Sequence, residues 1–386
     1  MQFSQKYFEL RSQFNPGVAR TAFPDSGIIC HAFQFNSVYP GDTLKGLKKP
    51  VSVNNAIFAV PDEAIIENQS FTYYVFTPGT KTKYRKAIIL LHGLNERSWD
   101  KYLVWAFYLA EKTGSPVILF PIAFHMNRSP AAWGNPRIML PLLTLRKQKL
   151  GDDQVSTFAN IALSERLTED PLRFFTSGQQ SAADLVKLGR QINFGEHPLF
   201  EKAATVDVFA YSIGAFLAQI LFLANPEGLF SNSRLFLFCG GAFFNEMNGV
   251  SKLIMDKPAF ERLLNFYIHE LNLEHNGAEP LVDSMNKTEL GQAFLAMLEP
   301  GLMQTFRETR IRQIRNKIQA ITLKNDQVIP ANKIAYALGE GADVEILDFP
   351  FGYSHETPFP LTNSLLFPMV DEAFEKVFSK AAHFLS

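Results

Sequence analysis

The sequence contains little cysteine, the residue that cross-links small folds through disulfides and often binds metals. Its 386 residues include only two cysteines, Cys30 and Cys239. Two cysteines make neither a disulfide framework nor a zinc-ligand spacing. Cys239 ends an apolar run that is typical of a buried strand, so we expect a buried thiol there. The chain must therefore rely on an apolar core, and it is long enough to form one.

A surplus of one charge and long apolar runs are also missing. The chain has 37 basic and 38 acidic residues, a net charge of -1, and so lacks the basic excess of a nucleic-acid-binding protein. No apolar run approaches the roughly 20 residues of a membrane span. The first residues lack the apolar stretch of a secretory signal. These absences predict a soluble, cytoplasmic protein with no transmembrane segment.

Nucleotide-binding motifs are absent as well. No glycine-rich dinucleotide fingerprint or phosphate loop accompanies the early strands, which argues against nucleotide enzymes. We therefore expect no cofactor and no metal. Phenylalanine, in contrast, is abundant, with 36 residues. Core packing accounts for most of these rings, and the number is also typical of a protein with an apolar pocket.

From residue 87 onward, continuous apolar runs alternate with segments of helical spacing. Such runs are typical of strands that are buried on both faces of a parallel sheet. The predicted strands lie at residues 87–91, 117–120, 206–211, 235–239, 318–323 and 344–349. The predicted helices lie at 99–112, 213–224 and 369–384. This order predicts an α/β fold with a mostly parallel central sheet and helices on both faces.

The N-terminal part, residues 1–84, has a different pattern. Residues 1–27 are polar and rich in turn formers, and they predict no clear element. Short β-type runs at 28–35, 56–60 and 71–76 predict antiparallel strands that lead into the sheet. The core then spans residues 85–386.

Two connections within this core, residues 121–205 and 241–316, are too long for simple loops. Helices are predicted within them near 177–192, 251–272 and 286–315. Both connections leave the carboxyl ends of strands, where open α/β sheets bind their ligands. We therefore expect these two insertions to form a helical cap over a pocket.

The most informative stretch is the turn around Ser212. An apolar strand precedes it, an apolar helix follows it, and small residues, Ala210 and Gly214, lie two positions away on either side. A nucleophilic serine on a tight strand-to-helix turn needs this pattern, because strand and helix nearly touch there. The alternative is an ordinary turn in which Ser212 caps the helix.

This turn resembles the nucleophile elbow of the α/β-hydrolase superfamily, Gly-x-Ser-x-Gly, with Ala210 in place of the first glycine. The resemblance covers about residues 85–125, 204–242 and 316–386. It implies the α/β-hydrolase fold and a triad in the order serine, acid, histidine. It also implies Ser212 as the nucleophile.

The later strands supply the other two members in that order. Asp326 follows the strand at 318–323, in a segment that resembles the acid loop of the family, and His355 follows the next strand. The resemblance implies that His355 is the general base and that Asp326 orients it. Glu246 is an alternative acid, but it lies farther from its strand end. His383, in the last predicted helix, is a poor alternative base.

Two further groups of residues are implied or suggested. His92 and Gly93 follow the first parallel strand, as in many family members, and the resemblance implies the amides of Leu94 and Ile213 as an oxyanion hole. His92 itself is predicted to be structural. The loop after residue 120 contributes two candidates for binding a polar part of a substrate, His125 and Arg128.

The same wall is predicted to include Trp133, Asn135 and Arg137. The alternative for this loop is a segment held by its own hydrogen bonds.

The function that these residues predict is a serine hydrolase with a small-molecule or acyl substrate, first of all a carboxylic ester, and an acyl-enzyme on Ser212. The same triad also serves acyltransferases and peptidases or amidases. A non-catalytic, ligand-binding hydrolase fold is the alternative from another class. Aspartate-dependent dehalogenases and epoxide hydrolases share the fold, but here the elbow residue is serine.

Overall fold

The computed structural model describes residues 1–23, 26–37, 60–79, 81–151, 154–271 and 279–386. Within these residues the centre of the protein is a nine-stranded sheet. Its strands are β1 (Arg20–Phe23), β2 (Ile28–Asn36), β3 (Ser70–Thr77), β4 (Tyr84–Leu91), β5 (Val117–Leu119), β6 (Phe200–Tyr211), β7 (Leu235–Phe238), β8 (Ile318–Leu323) and β9 (Asp343–Leu347).

The strands lie in the order β1-β2-β3-β5-β4-β6-β7-β8-β9. From β5 to β9 all neighbours are parallel, whereas β1, β2 and β3 are antiparallel to their neighbours. The central strands carry unbroken apolar runs, such as Leu235–Phe238, because both of their faces are buried. The predicted parallel sheet with an antiparallel lead-in is confirmed.

Helices cover both faces of this sheet. They are α1 (Phe3–Gln13), α2 (Ile66–Gln69), α3 (Asp100–Thr113), α4 (Pro136–Leu150), α5 (Ile161–Glu169), α6 (Leu172–Asn193), α7 (Ile213–Ala224), α8 (Lys257–Leu264), α9 (Glu279–Asn286), α10 (Glu289–Ala296), α11 (Gln304–Ile314), α12 (Ala331–Leu338) and α13 (Phe367–Leu385). Helices α1, α3 and α13 form one apolar core with the sheet, and α6, α7 and α12 form the other. The predicted α/β fold, a mostly parallel central sheet with helices on both faces, is thus confirmed.

Helix α1 and strand β1 correct the prediction that residues 1–27 form no element. The first turn of α1 has no local capping side chain. Instead, Asp371 of α13 accepts hydrogen bonds from the backbone N–H and the hydroxyl of Ser4, at 2.6 and 3.0 Å. The ring of Phe3 stacks on Phe374 with a centroid distance of 4.4 Å. These partners are more than 360 residues away, so the local pattern does not reveal the helix.

The helices of the insertions differ from the prediction in their limits. Helix α8 begins only at Lys257, because Asp256 caps it through the Ala259 amide, and it continues as a π-helix over Asn265–Glu270. The predicted helix at 286–315 is divided into α10 and α11, with Pro300 and Gly301 between them. Helices α4 and α5 were not predicted. Of the predicted strand at 56–60, residues 56–59 lie outside the described residues.

A buried ion pair joins the two insertions. Arg146 of α4 binds Asp256, just before α8, through two contacts of 2.6 and 2.8 Å. Both side chains are almost completely buried. Helices α5 and α8 also pack against each other, and α10 and α11 pack against α7. The insertions therefore pack against each other and against α7, and residues from them line a pocket together with Ser212.

The turn between β6 and α7 depends on a close approach of backbones. A Cβ atom on Gly214 would lie only 2.8 Å from the carbonyl oxygen of His92 and 2.8 Å from the Cβ of Leu91. Real side chains essentially never come so close, and the nearest atoms belong to the end of β4. Glycine at this position is therefore required by packing.

We expect Gly214→Ala to lower the free energy of unfolding by about 1–3 kcal/mol, because α7 must move away from β4 to relieve the overlap. Urea denaturation measures this change. Gly301→Ala is the matched control, because nothing lies within 4 Å of a Cβ at Gly301. Equal stability of the two variants would show that the packing at Gly214 is loose.

Candidate active site

Ser212 occupies a strained turn at the carboxyl end of β6. Its backbone angles are φ 58° and ψ -124°, a conformation that non-glycine residues rarely adopt. The hydroxyl makes no capping bond to α7, so Ser212 is not the helix-capping serine of the alternative interpretation. The side chain points instead to the loop that follows β9.

Three side chains form a continuous chain of hydrogen bonds. Ser212 Oγ lies 2.7 Å from Nε2 of His355, and Nδ1 of His355 lies 2.7 Å from Oδ2 of Asp326. The carboxylate accepts the Nδ1–H, so Nε2 carries the lone pair and accepts the hydroxyl proton of Ser212. All three residues are at least 96% buried. The structure thus brings together the serine, acid and histidine that the sequence places after three different strands.

Asp326 is held in place by its own loop. Its second oxygen, Oδ1, accepts hydrogen bonds from the amides of Val328 and Ile329 at 2.9 and 2.8 Å. These bonds leave Oδ2 for the histidine. The alternative acid, Glu246, forms an ion pair with Lys333 and makes no contact with His355 among the hydrogen bonds and ion pairs of the described residues. The arrangement therefore favours Asp326.

Tyr211 fixes the loop that carries the histidine, a role that was not predicted. Its hydroxyl donates a hydrogen bond to the backbone carbonyl of His355, and the two rings stack with a centroid distance of 5.5 Å. In addition, Lys101 Nζ lies 4.8 Å from the Tyr211 ring centroid and donates to the carbonyl of Glu356. The only signal in the sequence is that this tyrosine directly precedes Ser212.

The loop after β4 is held by polar contacts from α3. The amide of Gly93 donates to the hydroxyl of Tyr102 at 3.0 Å, and that hydroxyl donates to Glu96 at 2.9 Å. Glu96 also forms an ion pair with Lys101. The same helix thereby anchors both the loop that carries Leu94 and the loop that carries His355.

The amides of Leu94 and Ile213 have no hydrogen-bond acceptor within the part of the chain that the structure describes. Ile213 is the first residue of α7, and the first N–H groups of a helix have no partner inside it. Both residues line the space around Ser212. Two free amides beside a buried hydroxyl are suited to bind a negatively charged oxygen.

Two pockets have Leu94 and Ile213 in their walls. The serine pocket contains about 420 Å³ of empty space and is lined mainly by apolar side chains of the insertions together with the ends of β6 and β8. Its residues include Ser212, Phe244, Met255, Leu263, Val328 and Ile329. The second, which we call the His125 pocket, contains about 670 Å³. Its residues include Ile122, His125, Gln179, Phe216, Leu290 and Phe294.

Leu94, Phe174 and Ile213 belong to both pockets. The two spaces therefore adjoin each other.

The two candidates for substrate binding have different positions. His125 lines the pocket, whereas Arg128 is completely buried and lies outside its wall. The guanidinium of Arg128 donates to Asp184 at 2.8 Å and to the carbonyl of Pro121 at 3.1 Å. Burial lowers the pKa of Arg128 to about 10 in spite of this pair. Its donors are used within the fold, so Arg128 is not available to a substrate in this structure.

The remaining residues of that wall also belong to the fold. Trp133 is buried under the guanidinium of Arg166, 4.3 Å from the ring centroid. Asn135 caps α4 by accepting a hydrogen bond from the amide of Arg137, whose side chain is exposed. For these residues the structure favours the alternative, a segment held by its own contacts.

His92 is structural, as its position suggests. Its Nε2 accepts a hydrogen bond from the amide of Ile122 at 2.9 Å, and its Nδ1 donates to the carbonyl of Gly93 at 2.8 Å. The ring therefore joins the ends of β4 and β5. His383, the alternative base, is exposed on α13.

The described residues contain neither a cluster suited to a metal ion nor a helix suited to cross a membrane. No cluster of three or more histidine, cysteine, aspartate or glutamate side chains there is arranged to hold a metal ion. Among the same residues, no helix combines the length and apolar character that crossing a membrane requires.

Comparisons with known proteins give a family and a set of distant structures. The family described as "Family of unknown function (DUF6051)" matches residues 1–386. The sequence matches no curated protein. Similar solved structures include a cold-adapted esterase from an Arctic intertidal metagenomic library, with 10% identity, a TM-score of 0.42 and coverage of 97% of this chain and 100% of that one.

A thermostable carboxyl esterase from Bacillus coagulans has 14% identity and a TM-score of 0.43, with 92% of this chain and 99% of that one covered. A thermostable esterase from Pseudomonas putida has 12% identity and a TM-score of 0.41, with 100% and 91% covered. At this distance neither activity nor substrate is transferred to the chain.

The buried histidines near the site predict a loss of stability in acid. Burial lowers the pKa of His125 from 6.5 to about 4 and holds that of His92 well below 6.5. Between these values the unfolded chain binds more protons than the folded one. The free energy of unfolding should therefore fall as the pH is lowered from 6.5 towards 4, by up to about 1.4 kcal/mol per pH unit for each histidine.

Urea denaturation between pH 7.5 and 4.5 measures this slope. We expect His125→Phe to have the shallower slope, since it removes one of the protons, and His383→Phe, at an exposed position, to keep the slope of the natural chain. A slope that is unaffected by His125→Phe would contradict the assignment.

Proposed function

The chain belongs to the DUF6051 family, whose function is unknown, and from the geometry of its site we propose that it is a serine hydrolase that cleaves carboxylic esters. The observation that carries this proposal is the hydrogen-bond chain from Ser212 Oγ through His355 to Asp326, with 2.7 Å at each step. A serine hydroxyl becomes nucleophilic when a correctly oriented base accepts its proton. Here the base has the required tautomer and the acid that maintains it.

In the proposed reaction, Ser212 Oγ attacks the ester carbonyl carbon while His355 Nε2 takes the hydroxyl proton. The bond between the acyl carbon and the alcohol oxygen then breaks, and His355 returns its proton to the departing alcohol. A water molecule, deprotonated by His355, adds to the acyl carbon. The carboxylic acid leaves, and the oxygen of Ser212 regains its proton. Asp326 stabilises the charged form of His355 in both steps.

The amides of Leu94 and Ile213 are proposed as the oxyanion hole. Both are free of other acceptors in the described residues, and both belong to residues that line the pocket of Ser212. A backbone donor held by β4, α3 and α7 needs no rearrangement when negative charge develops on the carbonyl oxygen. The contacts of Gly93 and Tyr102 keep the first of these amides in place.

The nature of the pockets supports an ester with apolar parts as the substrate. The serine pocket is bordered by Phe244, Met255 and Leu263, and no charged side chain of the described residues lines it. Such a surface gains from burying hydrocarbon. We further propose that the insertions at 121–205 and 241–316 form the cap of this site, since helices from both contribute to its walls.

The first test is a fluorophosphonate probe combined with a panel of p-nitrophenyl esters. The natural chain should be labelled and should hydrolyse apolar esters, whereas Ser212→Ala should lose both reactions with its fold intact. Asp326→Asn should reduce kcat by roughly 10³–10⁴-fold, because His355 loses the partner that fixes its tautomer. Labelling and initial rates measure these effects, and near-UV circular dichroism checks the fold.

Ser12→Ala is the matched control, because Ser12 is an exposed serine on α1. Ester hydrolysis that persists in Ser212→Ala would exclude Ser212 as the nucleophile. The absence of both labelling and hydrolysis in the natural chain would favour a non-catalytic binding protein. An amide panel and an added alcohol acceptor distinguish amidase and acyltransferase activity from ester hydrolysis.

A second test concerns Tyr211 as a positioning residue. In Tyr211→Phe the buried carbonyl of His355 loses its hydrogen bond, so the histidine is held less well against Ser212. We expect kcat and the labelling rate to fall together by about 3–10-fold, with KM unchanged. Tyr336→Phe, which alters an exposed tyrosine, should have no effect. A change in KM alone would contradict the positioning role.

A further inference from the structure

The wall of the His125 pocket contains a buried hydrogen-bond acceptor that has no partner in the described residues. His125 is 7% exposed, and its Nδ1–H donates to the carbonyl of Ala123 at 2.8 Å. A neutral imidazole has one N–H, so Nε2 is left with a lone pair. That atom is buried and makes no hydrogen bond within the described part of the chain. Buried polar atoms of this kind call for a partner.

The ring stays neutral under ordinary conditions. Burial, and to a smaller extent the neighbouring cations Arg97, Arg128 and Arg166, lower the pKa of His125 to about 4. At neutral pH, therefore, Nε2 can only accept a hydrogen bond. A group that meets it must be a donor.

A second acceptor lies in the same wall. Oε1 of Gln179, on α6, is buried and also has no partner in the described residues. Ser177, on the same helix, donates its hydroxyl hydrogen to the carbonyl of Phe174 at 3.0 Å. The lone pairs of its oxygen therefore remain available as acceptors. The other lining residues are apolar or glycine, and no lysine or arginine is among them. The pocket is therefore an apolar space, and the buried atoms without a partner on its polar side chains, within the described residues, are acceptors.

The loop around His125 is built to hold this orientation. The residues on either side, Phe124 and Met126, have positive φ angles of 63° and 50°. Such angles are unfavourable for these side chains and persist only where surrounding contacts enforce them. The amide of Met126 donates to the carbonyl of Glu96 at 3.0 Å, which ties the loop to the segment after Leu94.

We propose that the His125 pocket binds the acyl chain of the substrate and selects a chain with a neutral hydrogen-bond donor, a hydroxyl or an amide N–H, through His125 Nε2 and Gln179 Oε1. This proposal rests on the proposed function, because it names the substrate class of the same site.

The acyl chain is assigned to this pocket from its position. The leaving alcohol must lie where His355 can protonate it, and the serine pocket contains Val328 and Ile329, which follow Asp326 on that side. The His125 pocket instead draws on Ile122 and His125, beyond β5, and contains no residue from the loops of Asp326 or His355. The two parts of an ester would thus occupy the two adjoining pockets.

The experiment compares p-nitrophenyl esters whose acyl chains of four to eight carbons end in a hydroxyl, a methyl ether or a methyl group. The ether keeps the oxygen but cannot donate. At the chain length that reaches His125, kcat/KM for the hydroxyl ester should exceed that for the ether by about tenfold or more. Acyl chains that end in a primary amide, compared with chains that end in its N,N-dimethyl form, test whether an amide N–H serves as the donor.

Variants connect the selectivity to the wall. His125→Phe keeps an aromatic ring but removes the acceptor, and it should reduce the hydroxyl-to-ether ratio to within about twofold. Gln179→Met should reduce the hydroxyl-to-ether ratio in part. It provides the test of the proposal if His125→Phe fails to fold. His383→Phe is the matched control and should keep the full ratio.

Equal rates for hydroxyl, ether and methyl chains at every length, with active enzyme, would overturn the proposal. The two acceptors would then be assigned to hydrogen bonds with water. A preference that appears only when the hydroxyl is on the alcohol part would overturn the assignment of the acyl chain to this pocket.

A binding measurement separates this proposal from the proposed function. Calorimetry with Ser212→Ala and the intact esters requires no turnover. Tighter binding of the hydroxyl ester than of its ether supports the proposal even if no ester is hydrolysed by the natural chain, and equal binding overturns it. The absence of both labelling and hydrolysis in the natural chain would contradict Ser212 as the nucleophile, independently of this binding result.

Discussion

The turn at Ser212 is the constraint on which the site depends. Its backbone has a positive φ of 58°, a conformation that costs on the order of 1–3 kcal/mol and must be enforced by its surroundings. The contact of Gly214 with the end of β4 enforces it from one side. From the other, a Cβ on Gly240 would meet the carbonyl oxygen of Ser212 at 2.8 Å. Close packing of three parallel strand ends therefore keeps the serine in its strained position.

The same turn also determines where the histidine lies. Tyr211 precedes Ser212 on the buried end of β6, and its hydroxyl binds the backbone of His355. The distance from Ser212 Oγ to the imidazole is thus set by two adjacent residues of one strand. Lys101 connects this arrangement to α3, which also holds the loop of Leu94 through Tyr102. The histidine loop and the loop of Leu94 are consequently connected to each other through α3.

The insertions add what the sheet lacks, the walls of the pockets. Their polar contacts are satisfied mainly within the fold, as in the pair of Arg146 and Asp256, since a buried charge without a partner would be costly. Nε2 of His125, in contrast, has no hydrogen-bond partner in the described residues, and His125 lines a pocket. An apolar pocket with an acceptor in its wall suits a substrate chain that is mostly hydrocarbon and carries a donor at one place.

The sequence by itself determined the parallel sheet and its helices, because strands buried on both faces must be apolar throughout, as in Leu235–Phe238. It also placed Ser212, Asp326 and His355 after the strands whose ends the structure brings together. Only the tertiary structure determined that helix α1 forms, because the residue that caps it is Asp371. It also determined that Arg128 is buried in an ion pair with Asp184. It alone decided that the hydroxyl of Tyr211 binds the backbone of His355. Those features depend on partners far away in the chain, and local residue patterns carry no record of such contacts.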